Sequence, residues 1–269
     1  MVFMMRVEME EIIERRINSE LAKIEQENDV HVLLAVESGS RSWGFESPDS
    51  DWDVRFIYVH HPNWYLSIQE KRDVIEIPID GDLDINGWDL RKALRLFKKS
   101  NPVFMEWIVS PYVYAKSGSF ADKIRELAKT YYSHKAGAHH YLRMAQDNFS
   151  AYLNGKTEVR LKKYLYVLRP LVNIFWLMEK DGLIPMSFPE TLRAVSVPVE
   201  PRKAIEKLLN VKKSIPEIGT GERIPIIDEF ITDATEKAEE YCRIAPANKV
   251  SLEIIDEFFR SIIEESWSL

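Results

Sequence analysis

Apolar positions recur at three- and four-residue spacing from residue 6 to about 27, at Ile12, Ile13, Ile17, Leu21 and Ile24, which predicts an amphipathic helix. The period then changes. His31 to Val36 is a short continuous apolar run rich in Val and Leu, the pattern of a buried strand. Asp51 to Val59, reading DWDVRFIYV, predicts a second strand dense in β-branched and aromatic side chains. The polar loop between them holds Gly39, Gly44 and Pro48. Val74 to Ile79 and Asp82 to Trp88 flank Asp80-Gly81, a two-residue turn signal, so a hairpin follows. Asp89 is placed to N-cap a helix running to about Lys99, and Asn101-Pro102 ends it or starts the next. Tyr112 to Ala115 completes this half as a short edge strand.

After Ser117 the strand patterns stop. Helical periodicity covers roughly 119–130, 134–154, 158–181, 201–213, 225–243 and 251–266, with Pro and Gly at the breaks. Pro170, inside one of these segments, is expected to kink or interrupt it. The chain therefore reads as α+β, with a mixed half over 1–116 and an all-helical half over 117–269. No Gly/Ser linker separates the halves, so close packing with a cleft between them is expected.

Composition narrows the class of molecule. At 269 residues, 45% hydrophobic and 29% charged, the chain is an ordinary globular sequence able to bury a sizeable core. A net charge of -7 argues against a surface coated for non-specific duplex binding, while leaving room for a local basic groove. The single cysteine, Cys242, excludes an intramolecular disulfide and suits a reducing interior. Arg6 ends the apolar start too early for a signal peptide, and LVNIFWLM is too short to span a bilayer. A cytoplasmic location is the expectation.

Chemistry concentrates between Gly39 and Asp53, in GSRSWGFESPDSDWD. Alternation along a strand puts Asp51 and Asp53 on one face with Arg55 beyond them. Two neighbouring carboxylates repel, and burial makes both costly; a divalent cation removes the penalty. Mg²⁺ suits such a pair because it prefers a few carboxylates plus waters and substrate phosphates. An isolated D-x-D is more often two solvated aspartates at a strand's mouth. The preceding turn shifts the balance: Gly39 permits close backbone approach to an anion, Ser40 offers its hydroxyl and amide, and Arg41 adds charge. A third carboxylate is also wanted, to complete a two-metal site and take the attacking hydroxyl's proton. DLDINGW offers Asp82, Asp84 and Asn86 on one face. Asp82 adjoins the turn and Asp89 suits a helix cap, so Asp84, in mid-strand, is preferred.

The pattern G-S-x-x-x-G followed by S-D-x-D on the next strand, here Gly39, Ser40, Gly44, Ser50, Asp51 and Asp53, resembles the signature of the polymerase-β-like nucleotidyltransferase superfamily. The fuller text, ESGSRSWGFESPDSDWDVRFIYV with DLDINGWDLRKALRLFKKSNP and KKYLYVLRPL, resembles a narrower group, predicted bacterial and archaeal nucleotidyltransferases associated with RNA repair. The resemblance spans most of the chain. It implies a small mixed-sheet palm and a helical C-terminal domain closing over the nucleotide. It also implies two Mg²⁺ (or Mn²⁺) ions on Asp51 and Asp53, with Asp84 on the ion that activates the acceptor. Gly39 and Ser40 would hold the β- and γ-phosphates of an NTP, with ATP the first expectation. An RNA 3′ end is the acceptor the family suggests. A nucleotide-binding regulator that keeps the fold without turnover is the rival from another class.

Two helices offer further candidates. Lys163 and Tyr164 are placed to meet a triphosphate and a base across the cleft, a role the resemblance favours. Arg91, Lys92, Arg95, Lys98 and Lys99 form a basic stripe, which reads as a solvated face or as a track for a nucleic-acid backbone. Adjacent His139 and His140 do not share a helix face and make a poor metal pair. Trp107, Trp176, Phe258 and Phe259 read as core.

Overall fold

The computed structural model describes residues 2–214 and 219–268. The mixed half contains α1 (Val2–Asn28), β1 (Val30–Glu37), α2 (Gly39–Ser42), β2 (Trp52–His60), α3 (Pro62–Tyr65), β3 (Val74–Glu76), β4 (Leu83–Asp89), α4 (Leu90–Lys98), α5 (Pro102–Ile108) and β5 (Val113–Lys116). The second half contains α6 (Phe120–Tyr131), α7 (His134–Tyr152), β6 (Glu158–Arg160), α8 (Lys162–Glu179), α9 (Phe188–Ala194), α10 (Val199–Ser214), β7 (Thr220–Glu222), α11 (Pro225–Ile244) and α12 (Leu252–Trp267).

Five strands form one mixed sheet in the order β3-β4-β2-β1-β5. β2 runs antiparallel to β1 and parallel to β4, with Asp53 beside Asp84 in the β2–β4 register. The Asp80-Gly81 turn reverses the chain ahead of β4 as expected, Gly81 having φ 65°, and β3 pairs antiparallel with β4 over Val74–Glu76. Strand alternation then sorts the side chains. Val54, Phe56, Tyr58, Leu83 and Ile85 face α1, whose Ile13, Ile17, Leu21 and Ile24 close a small core on that side. Leu33, Val36, Ile57 and Val59 face the other way, into a core that continues through Phe104, Phe120, Leu168 and Ile262.

Three expectations change. Residues 158–160 are not the start of a helix. They pair antiparallel with 220–222 as a two-stranded ribbon, three residues long on each side and too short to show a period. α9 forms at Phe188–Ala194, where no helix was expected; its Pro189 sits in the first turn, a position that favours initiation. α8 runs through Pro170 without the interruption that residue allowed for, and Pro170 is buried. The last strand of the five-stranded sheet ends at Lys116, but apolar packing crosses that point, and α12 returns to the sheet half. There Phe259 meets Tyr65 edge-on at 5.0 Å and Trp267 lies against His31.

Candidate active site

β1 ends in the buried Glu37, and the chain turns at Ser38 into the four-residue α2. Gly39 enters that turn with φ 62°, and a Cβ there would overlap Asp53 Oδ2. Only glycine lets the Asp53 carboxylate lie against this backbone. Two backbone links fix the arrangement: Ser38 N–H donates to the Asp53 carbonyl at 2.8 Å, and Asp53 N–H donates to Glu37 Oε1 at 3.0 Å. The turn and the second strand are thus stitched together through the backbone of Asp53.

A polar cleft of about 480 Å³ opens over this point. Gly39, Ser40, Asp51, Asp53 and Arg55 line it from the sheet half, with Ser47 and Ser50 from the loop. Lys162 and Tyr166 of α8 line it from the helical half. Burial, opposed by Arg55 and reinforced by Asp84 and Asp51, raises the Asp53 pKa above the usual carboxylate value. Such a carboxylate favours a proton or a cation.

Asp84 stands next to Asp53 in register, and the two share one partner. Arg55 Nη2 donates to Asp53 Oδ1 at 3.0 Å and to Asp84 Oδ2 at 2.7 Å. Arg55 Nη1 donates to the carbonyls of Val54 and Asp84 at 2.9 and 3.0 Å. Asn86 Nδ2 donates to Asp84 Oδ1 at 2.6 Å. Asp51, Asp53 and Asp84 are therefore gathered at the start of β2 and β4, but not as a common cage. Among the described residues no three His, Cys, Asp or Glu side chains are grouped to hold a metal ion. Asp51 and Asp53 fit one cation that also takes oxygens from substrate phosphates. Asp84, expected as a third metal ligand, is instead seen paired with Arg55, whose guanidinium lies between its carboxylate and that of Asp53.

Other expected roles move. Arg41 does not line the cleft: its Nε and Nη2 donate to the carbonyls of Asp51 and Ser50 at 3.1 and 2.6 Å, and its guanidinium lies 3.7 Å over Trp52. It braces the D-x-D loop from behind. Tyr164 is fully buried, with its hydroxyl 2.8 Å from Asp228 Oδ1 and accepting from Ile224 N–H and Arg223 Nε at 3.0 Å. Lys163 Nζ lies over the rings of Tyr152 and Tyr166. The cleft-facing pair is Lys162 and Tyr166, spaced i,i+4 so that both share a helix face, whereas Tyr164 turns about half a circle away from it. In the basic stripe, Arg91 and Lys92 bind Tyr65 O and Asp73 Oδ1, and Asp89 caps α4 through Arg91 N–H at 2.8 Å, as its position predicts.

Two contributors escaped the sequence reading. Glu37 accepts from Asp53 N–H and, at 2.6 Å, from the Tyr114 hydroxyl; burial outweighs both bonds and pushes its pKa to about 7. A carboxylate in phase with the apolar run VHVLLAVE is the signal that marks it. Lys212 of α10 is buried and donates to Ser47 Oγ at 2.7 Å, so a third helix reaches the D-x-D loop. Nothing in the sequence separates it from Lys213.

Residues 13–261 match the family model described as RlaP, the RNA repair pathway DNA polymerase beta family. A curated relative, the uncharacterised protein YcgL of Bacillus subtilis (strain 168), is 43% identical over 257 residues, 95% of this chain and 98% of its own. Among solved structures, a nucleotidyltransferase-like protein from Exiguobacterium sibiricum 255-15 aligns over 86% of this chain and 74% of its own. Its identity is 8% and its TM-score 0.31, values too low to carry an argument.

Proposed function

The chain belongs to the RNA repair pathway DNA polymerase beta family, and from that premise we propose that it transfers a nucleoside monophosphate from an NTP to a hydroxyl acceptor, releasing pyrophosphate. ATP is the first choice of donor and an RNA 3′ end the first choice of acceptor. One observation carries the reading: Asp53 lies against Gly39 at the floor of a polar cleft, beside Asp51 and Ser40, under Lys162 and Tyr166.

Ser40 and the backbone of α2 offer hydrogen-bond donors to the terminal phosphates. Lys162 offers positive charge and Tyr166 a ring edge or face for the base. Asp51 and Asp53 would hold a Mg²⁺ or Mn²⁺ ion, which when bound neutralises phosphate charge and polarises the α-phosphate. The acceptor oxygen then forms its bond to the α-phosphorus as the bond to the β-phosphate bridging oxygen breaks. The leaving pyrophosphate takes the electron pair, and the acceptor's proton passes to a carboxylate of the cluster. Positioning and fixed charge do most of the work in such a step.

Incubation with α-³²P-labelled ATP, each divalent ion in turn and pooled RNA, protein and small-molecule acceptors tests this. Label transfer is expected, with Asp51→Ala and Asp53→Ala each lowering it by at least about 100-fold while thermal unfolding still shows a folded protein. Nucleotide binding without label transfer under every condition would favour the regulator instead.

A further inference from the structure

Within the nucleotidyl-transfer reading, on which this inference rests, we propose that Arg55 is a built-in cation that takes the place of a second divalent ion, so that the centre holds one ion per bound nucleotide. The geometry is specific. The Arg55 Nη2 atom lies 3.0 Å from one Asp53 oxygen and 2.7 Å from one Asp84 oxygen, bridging the two carboxylates that would otherwise have to share a cation. Its Nη1 atom is held at the same time by the carbonyls of Val54 and Asp84. Four hydrogen bonds therefore fix one planar group, two of them charge-assisted, and an ion entering between Asp53 and Asp84 would have to break them.

The environment makes that exchange unfavourable. The Arg55 side chain is 17% exposed, and Asp53 and Asp84 are 29% and 23% exposed, so solvent is poorly placed to receive a displaced guanidinium. Asn86 occupies the other Asp84 oxygen at 2.6 Å. Asp51 is different: it is exposed and lines the cleft. The centre thus has one side where an ion can enter with its waters and one side already filled by a fixed positive charge. In the transfer step Arg55 holds Asp53 in place at the cleft and supplies there the fixed positive charge that a second ion would bring.

Two variants and one count decide it. Mn²⁺ bound to the full-length protein with a non-hydrolysable ATP analogue is counted by electron paramagnetic resonance and equilibrium dialysis. One ion per chain is expected in the wild type, and Asp84→Asn should still bind one, with an affinity within about twofold. Arg55→Gln should bind two, because the freed Asp84 can then serve as a ligand; Arg55→Lys, which keeps the charge and guards against misfolding of the Gln variant, should bind one. Two ions in the wild type, or one in Arg55→Gln, overturns the role of Arg55 while leaving the nucleotidyl-transfer reading intact. No ion in the wild type overturns both.

Discussion

The least conspicuous residue of the site is the one with the clearest physical signature. Glu37 is 1% exposed and its pKa is raised from 4.5 to about 7 by burial, against two accepted hydrogen bonds. The folded state therefore binds this proton more tightly than the unfolded chain. The stabilising contribution is fully present below about pH 4.5 and is lost as pH rises through about 7. Glu37→Gln is expected to flatten the fall in melting temperature between pH 5 and 8. Its ceiling at pH 8 is about 3 kcal/mol, less the bond that the amide cannot accept. Parallel pH–melting curves for wild type and variant would refute the assignment. Asp53 and Gly39 were legible in the sequence because their spacing is fixed by a strand–turn–strand unit. Glu37 was not, because a charged residue closing an apolar run looks like the strand's exit into solvent until Tyr114, 77 positions later, is seen to cover it.

At the level of elements, the sheet was readable because strand periods and the Asp80-Gly81 turn are local signals. The faces of α8 were not. Adjacent Lys163 and Tyr164 catch the eye as a pair, yet a helix presents residues four apart, and the cleft takes Lys162 and Tyr166. Tyr166→Ala is expected to weaken nucleotide binding by roughly 10-fold, the loss of one ring–base contact, with little change in stability. Tyr164→Phe is expected to leave nucleotide affinity unchanged and to cost about 1–2 kcal/mol in folding, since Asp228, Arg223 and Ile224 lose a shared partner. Calorimetric titration and denaturant melts on both variants separate the roles, and the opposite pattern would restore Tyr164 to the site. The ribbon of β6 and β7 escaped notice for a different reason: its strands lie 60 residues apart and pair only because α8 and α11 bring them together.

Across the whole molecule, the two halves are joined by charge as well as by apolar packing. Glu106 of α5 pairs with Arg169 of α8 at 2.6 Å, in a site where both side chains are under 10% exposed. Trp43 donates to the same carboxylate while its ring lies 4.0 Å beneath the guanidinium. Glu106→Ala would leave Arg169 buried without its counter-charge. A loss of about 3–5 kcal/mol is expected, together with a looser cleft, since Trp43 forms part of its wall. A denaturant midpoint unchanged within error would show the pair to be incidental.

α12, the final helix, has a consequence for synthesis. It lies against α4 and β2, with Phe258 on Phe120 and Trp267 against His31 and His61. The residues of β2 and α4 therefore leave the ribosome long before the helix that covers them. Until then the nascent chain carries Tyr65 and Phe120 without their covering partners, which makes a truncated transcript a ready source of aggregation-prone polypeptide.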